Sequence, residues 1–227
     1  MENKEIIKKL KDFVEELENE EKLKVPSFAD ISRDELIEVI ELYRAGKIDL
    51  KDYWKVGDTK EYNGCTYVII DIGYDQSADH FKFDKNTVTI MRTDLINLNV
   101  SLSDVDGDWG SRTCKELEGT LIGKQMRQFP EFFTGRFFSG LTTHVRKSDF
   151  TLVPRIFLPS EEEIFDKEKA YEYFKDIKNR RLGNPWWSCS GFLRSNGYAY
   201  FVYCRSDGSQ DDSIANNSRG LAPCFVI

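Results

Sequence analysis

Asn63-Gly64, set between Lys60-Glu61-Tyr62 and the run Cys65 to Ile72, is the feature that most limits what this chain can fold into. A two-residue hairpin needs positive φ at both turn positions, which Asn and Gly tolerate, so the dipeptide joins two antiparallel strands. A further strand is expected over Thr87 to Met91. Near the end Ala199, Phe201 and Tyr203 alternate with Tyr200, Val202 and Cys204, a period-two pattern. Asp207-Gly208 then reads as a turn, and Pro223 to Ile227 as a short apolar final strand.

Before the hairpin the period is helical. Residues 2 to about 22 read as a charged helix with Ile7, Leu10, Val14 and Leu17 at a/d spacing, widened by Ile6 and Phe13. This helix either docks on its own domain or, through those four residues, joins copies or attaches the chain to a larger assembly. Pro26 ends it. Ser32 and Glu35 form a capping box that opens a second helix through Tyr43, with Gly46 as its stop. Ser160 and Glu163 form another capping box after the strand Ile156-Phe157-Leu158, predicting a helix to about Arg181 that Gly183 and Pro185 close. Lys115 to Ser148 reads as short helices and loops. No internal repeat is evident. The expectation is an α+β protein with a mainly antiparallel sheet, residues 1–50 forming a helical lead-in and 51–227 the principal domain.

At 227 residues, 40% of them hydrophobic, the chain is too apolar to be disordered and long enough for one substantial core. The net charge is −7 with no basic block, so nucleic acid and anionic membranes are not expected partners. No run approaches the roughly 20 apolar residues of a membrane span, and the start lacks a signal-peptide core. The expected compartment is therefore the cytoplasm, with release by lysis or inside a particle as the exit. Cys65, Cys114, Cys189, Cys204 and Cys224 form no C-x-x-C and lie far from His80 and His144, which predicts reduced thiols and no zinc site.

The familiar chemistries are weak. Asp104, Asp106 and Asp108 alternate as calcium ligands do, but counting from Asp104 the sixth and twelfth positions hold Trp109 and Lys115 where an EF-hand needs Gly and Glu. A solvated acidic loop is the main reading and a calcium site the lesser one. There is no G-x-S-x-G elbow, no phosphate-binding glycine loop and no acid or nucleophile spaced to serve His144. No cofactor is expected.

Composition, however, is lopsided. Neither Lys nor Glu occurs after Lys178, and from Trp186 onward the chain uses Ser, Gly, Asn, Tyr and Asp. Binding loops favour this palette, which pairs rigid amphipathic area with adaptable hydrogen bonding; lysine and glutamate are depleted at interface cores. The readings left open are a loop-rich sheet edge without a ligand and a recognition surface. For the surface, Trp186, Trp187, Tyr198, Tyr200 and Tyr203 supply contact area, and Ser190, Arg194, Asn196, Asp211, Asn216 and Asn217 supply polar contacts. Some aromatics must face inward, with Trp186 or Trp187 the first choice.

Several segments, taken in order, resemble a known family. Trp54-Lys55-Val56-Gly57-Asp58, Tyr67 to Asp75, Gly107-Asp108-Trp109-Gly110-Ser111-Arg112, Phe157-Leu158-Pro159-Ser160-Glu161-Glu162-Glu163, Trp186-Trp187 with Leu193-Arg194-Ser195, and Gly220-Leu221-Ala222-Pro223 are similar to motifs of a domain-of-unknown-function family of bacteria and their phages. Its members carry Trp-Trp-Leu-Arg-Ser and end in Gly-Val-Arg-Pro with an apolar strand. Here five residues separate Trp187 from Leu193, and Ala222 stands where the family has Arg.

The resemblance implies a C-type-lectin-like fold over 51–227, akin to formylglycine-generating enzymes and phage tropism determinants. It further implies a phage or prophage tail-associated protein that binds a host-surface protein or glycan without catalysis, with the virion as a destination. A variable protein of a diversity-generating retroelement is a further implication, because adenine mutagenesis of Asn codons yields the palette of this tail. The lectin calcium motifs are absent. Two alternatives accompany this reading: an enzyme of the formylglycine-generating type, with Cys189 or Cys204 as its thiol, and a structural virion protein.

Overall fold

The computed structural model describes residues 24–77, 86–97, 144–145, 152–153, 156–195, 197–215 and 217–227. The protein is α+β, with few helices and mostly antiparallel sheets. The amino-terminal stripe Ile7, Leu10, Val14 and Leu17, the loop Asp104-Asp106-Asp108, and the side chains of Asn196 and Asn216 lie outside the described residues.

Helix α1 (Arg33–Arg44) begins as expected: Ser32 accepts from Glu35 N at 3.3 Å, and Glu35 Oε2 accepts from Ser32 N at 2.8 Å. Leu36, Val39, Ile40 and Tyr43 share one buried face, the spacing an amphipathic helix requires. A 3₁₀ turn (Leu50–Asp52) follows. Strands β1 (Thr59–Tyr62) and β2 (Cys65–Ile72) form the hairpin, with Tyr62 opposite Cys65 and positive φ at Asn63 (49°) and Gly64 (73°), as a tight turn demands. Next come β3 (Gln76–Ser77), β4 (Val88–Arg92), β5 (Ile96–Asn97), β6 (His144–Val145), β7 (Leu152–Val153) and β8 (Ile156–Phe157). Helix α2 (Glu161–Phe165) precedes two 3₁₀ turns (Glu172–Lys175 and Ile177–Arg180). The chain closes with β9 (Trp186–Leu193), β10 (Ala199–Cys204), β11 (Gln210–Ile214), β12 (Gly220–Leu221) and β13 (Cys224–Val226).

One sheet runs β1-β2-β4-β13-β8, a second β11-β10-β9-β12-β5, and a third, small one β3-β6-β7; among the described strands only β9 with β12 is parallel. The final strand sits between β4 and β8 and is buried on both faces, which explains its continuous apolar run. Strand alternation sends Tyr67, Ile69 and Ile90 to one core, under α1, and Val68, Ile70 and Met91 to another, under α2 and the first 3₁₀ turn after it. Phe28, Ile31, Leu36, Leu50 and Trp54 lie in the first core, so residues 28–54 share it with the sheet. Each such side chain contributes about 1.5–3 kcal/mol by leaving water.

The helix predicted from Ser160 to about Arg181 is much shorter. Asp166 takes extended backbone (φ −69°, ψ 143°), and its Oδ1 accepts from the N–H groups of Glu168 (2.8 Å) and Lys169 (2.9 Å). A carboxylate that serves the backbone locally competes with helix hydrogen bonds. The chain then turns Tyr171 and Phe174 into the second core instead of winding past them.

Candidate recognition surface

The lopsided tail is mostly sheet. Trp186–Leu193, expected as part of a loop display, is strand β9, paired with β10 through Tyr203↔Trp187 and Phe201↔Gly191. Strand periodicity therefore distributes the predicted contact residues over two faces. One face carries Trp187, Phe201, Tyr203 and Asp211; the other carries Trp186, Phe192, Tyr200 and Asp212.

Trp186 and Trp187 are core members, 0% and 1% exposed. Trp186 packs on Phe174 and donates Nε1–H to Arg180 O at 3.0 Å. Trp187 meets Phe201 and Tyr203 edge-on. The Ser190 hydroxyl accepts from Glu161 N at 2.8 Å, tying β9 to the start of α2. Asn217 donates Nδ2–H to the Ser213 hydroxyl. Tyr203 is buried, and its O–H donates to Asp211 Oδ2 at 2.7 Å. Arg205 Nε and Nη2 reach that same oxygen at 3.0 and 2.7 Å. The Tyr203 hydrogen bond first, then Arg205, holds the Asp211 carboxyl down to about 2.

What remains at the surface lies around the β9–β10 turn. Gly197 N donates to Arg194 O at 2.9 Å, and Arg194 N to Tyr198 O at 3.2 Å. Tyr198 is 61% exposed and Phe192 37%. Phe192 and Tyr200 stack, centroids 6.0 Å apart and planes at 22°. The Arg194 guanidinium lies 4.1 Å over the Tyr200 ring, and its Nη2 donates to Asp212 Oδ1 and Oδ2 at 2.5 and 2.6 Å. Stacking on one side and a carboxylate on the other fix the guanidinium plane without burying it. Phe192 and Asp212 were absent from the sequence reading. Choosing Asp212 over Asp211 for Tyr200's face needs the register across the Asp207-Gly208 turn, and pairing Phe192 with Tyr200 needs that across the β9–β10 turn.

Cys204 is buried, its thiol pushed up to about 12 by burial, opposed by the nearby Arg180 charge. Cys65 and Cys189 are partly buried. Among the described residues no group of three or more His, Cys, Asp or Glu is placed to hold a metal ion, and no helix is long and apolar enough to cross a membrane.

Fold and site together define an α+β protein with mostly antiparallel sheets that presents an aromatic and arginine cluster at the turn of its carboxy-terminal sheet. No protein-family model matches the chain, no curated protein is significantly similar to it, and no solved structure matches it.

Proposed function

We propose that this chain is a non-enzymatic recognition module with a C-type-lectin-like body, tail-associated in a phage or prophage, that binds a host-surface protein or glycan. The observation that carries the reading is exposed Phe192, Tyr198 and Arg194 around half-buried Tyr200 and Asp212. Large aromatics exposed beside a pre-oriented guanidinium offer contact area at little entropic cost, as hot spots do. The tail's Ser, Asn, Tyr and Asp palette supports a variable protein of a diversity-generating retroelement. An enzyme of the formylglycine-generating type would need a readily ionised thiol; of its two candidates, Cys189 and Cys204, the Cys204 thiol is raised by burial.

The test is binding of the labelled protein to intact bacterial cells and to a glycan array. Wild type is compared with a Tyr198→Ala, Tyr200→Ala, Arg194→Ala triple variant whose melting temperature is checked alongside. Binding that disappears in a folded triple variant supports the reading. Unchanged binding removes this surface from it.

A further inference from the structure

Arg219 is a partly buried cation with no ion-pair partner among the described residues. It immediately precedes β12, and its guanidinium carbon lies 4.5 Å from the Tyr203 ring centroid and 5.7 Å from that of Trp187. Its Nη1 donates to Ser218 O at 3.1 Å, but its Nε is shielded from solvent and has no acceptor. The indole Nε1 of Trp187, in a side chain 1% exposed, is equally without one. The indoles of Trp54 and Trp186 instead donate to Pro26 O at 2.9 Å and Arg180 O at 3.0 Å, although Arg33 and Arg92 also carry shielded N–H groups without an acceptor. Among the described residues no ion pair includes Arg219. Asp211, on the same face of the sheet, is already engaged by Tyr203 and Arg205.

Buried N–H donors without acceptors are unfavourable, so two of them around one charge mark a place suited to an acceptor that the described residues do not supply. We propose that Trp187, Tyr203 and Arg219 form a binding seat for a carboxylate of a ligand. The Tyr203 and Trp187 rings hold the guanidinium, and its planar N–H fork matches a two-oxygen acceptor. The indole N–H adds one neutral donor. A single cation held between two rings suits a monoanion better than a doubly charged phosphate. The seat is on the opposite face of the sheet from Arg194 and Tyr200, so it stands or falls apart from the recognition reading.

The indole N–H resonances of the full chain, followed by heteronuclear NMR, test this directly. The Trp187 signal is assigned as the one missing in a Trp187→Phe variant. Acetate, glucuronate, phosphate and glucose are titrated at constant ionic strength. The expected result is a saturable shift of the Trp187 indole proton with acetate and glucuronate, the Trp54 and Trp186 signals staying in place. A tighter response to glucuronate identifies an acidic sugar as the source of the carboxylate, and equal responses identify the carboxylate alone. In Arg219→Ala the response disappears, and in Arg219→Lys it weakens at least about tenfold because the fork is lost. A Trp187 signal that no carboxylate moves, that phosphate moves as well as acetate does, or that responds identically in Arg219→Ala overturns the proposal. The Arg219→Lys variant keeps the comparison available if the alanine variant does not fold.

Discussion

Trp186 and Trp187 are consecutive residues that belong to opposite cores, one indole bonded to the Arg180 carbonyl and the other with no acceptor. Replacing either by Phe removes the same ring volume, so the difference between the two variants isolates the hydrogen bond. Trp186→Phe is expected to destabilise the protein by about 1 kcal/mol more than Trp187→Phe. Urea midpoints of the two variants check this, and equal midpoints would show that the Arg180 bond contributes nothing.

Lys60 carries a charge where its strand faces inward. It is 6% exposed, and its ammonium donates to Ala29 O (3.1 Å) and Ile31 O (2.8 Å), pinning the segment before α1 to the hairpin. Burial lowers its pKa, with Asp30 opposing. Lys60→Met keeps the aliphatic stem but takes the ammonium from both carbonyls. The expected loss is about 2 kcal/mol, with the added cost that buried acceptors lose their donor. A thermal melt reads it; an unchanged melting temperature would mean that the carbonyls find other donors.

The features legible in the sequence were those closed by a local hydrogen-bonding motif. Asn63-Gly64, the Ser32–Glu35 and Ser160–Glu163 capping boxes, and the Asp207-Gly208 turn each settle within a few residues, and each stands where the sequence put it. What was hidden depends on distant partners. Nothing near Pro223 says that β13 inserts between β4 and β8. The end of α2 rests on one Asp166 side chain outbidding the helical pattern. In the candidate site the residue types were visible but not their faces. An adjacent tryptophan pair in a strand must split across the sheet, which takes Trp186 and Trp187 inward and leaves Phe192 and Tyr198 exposed beside half-buried Tyr200.

Asp75 makes stability depend on pH. It is fully buried, its carboxylate accepting from the Thr89 hydroxyl at 2.5 Å and the Tyr171 hydroxyl at 3.1 Å. Burial first, then the Glu163 charge, raises its pKa from 3.8 to about 8; Asp71 adds to the rise, and Thr89 and Tyr171 oppose it. The folded protein thus keeps a proton that the unfolded chain gives up above about pH 4. The associated stability is whole below about pH 4 and is lost as pH rises toward 8, by at most about 1.4 kcal/mol per pH unit. Urea melts between pH 5 and 8 should fall for wild type and run flatter for Asp75→Asn. Parallel curves would show that Asp75 is not the titrating group.

Gly208 and Gly183 separate two costs that a side chain can impose. Both have φ near the left-handed region, +84° and +85°. At Gly183 an added Cβ meets nothing within 4 Å, whereas at Gly208 it would stand 2.5 Å from Ile177 O and 2.9 Å from Ile177 Cγ1. Gly183→Ala should therefore cost only the conformational strain, about 1 kcal/mol. Gly208→Ala should add a backbone collision worth roughly 1–3 kcal/mol more. The collision sits in the turn that closes Arg205 N onto Ser209 O at 2.8 Å, next to the Arg205–Asp211 pair. Denaturant midpoints of the two alanine variants give the difference. If they coincide, the 3₁₀ turn bearing Ile177 yields freely, and the packing of the β10–β11 turn against it has no stiffness of its own.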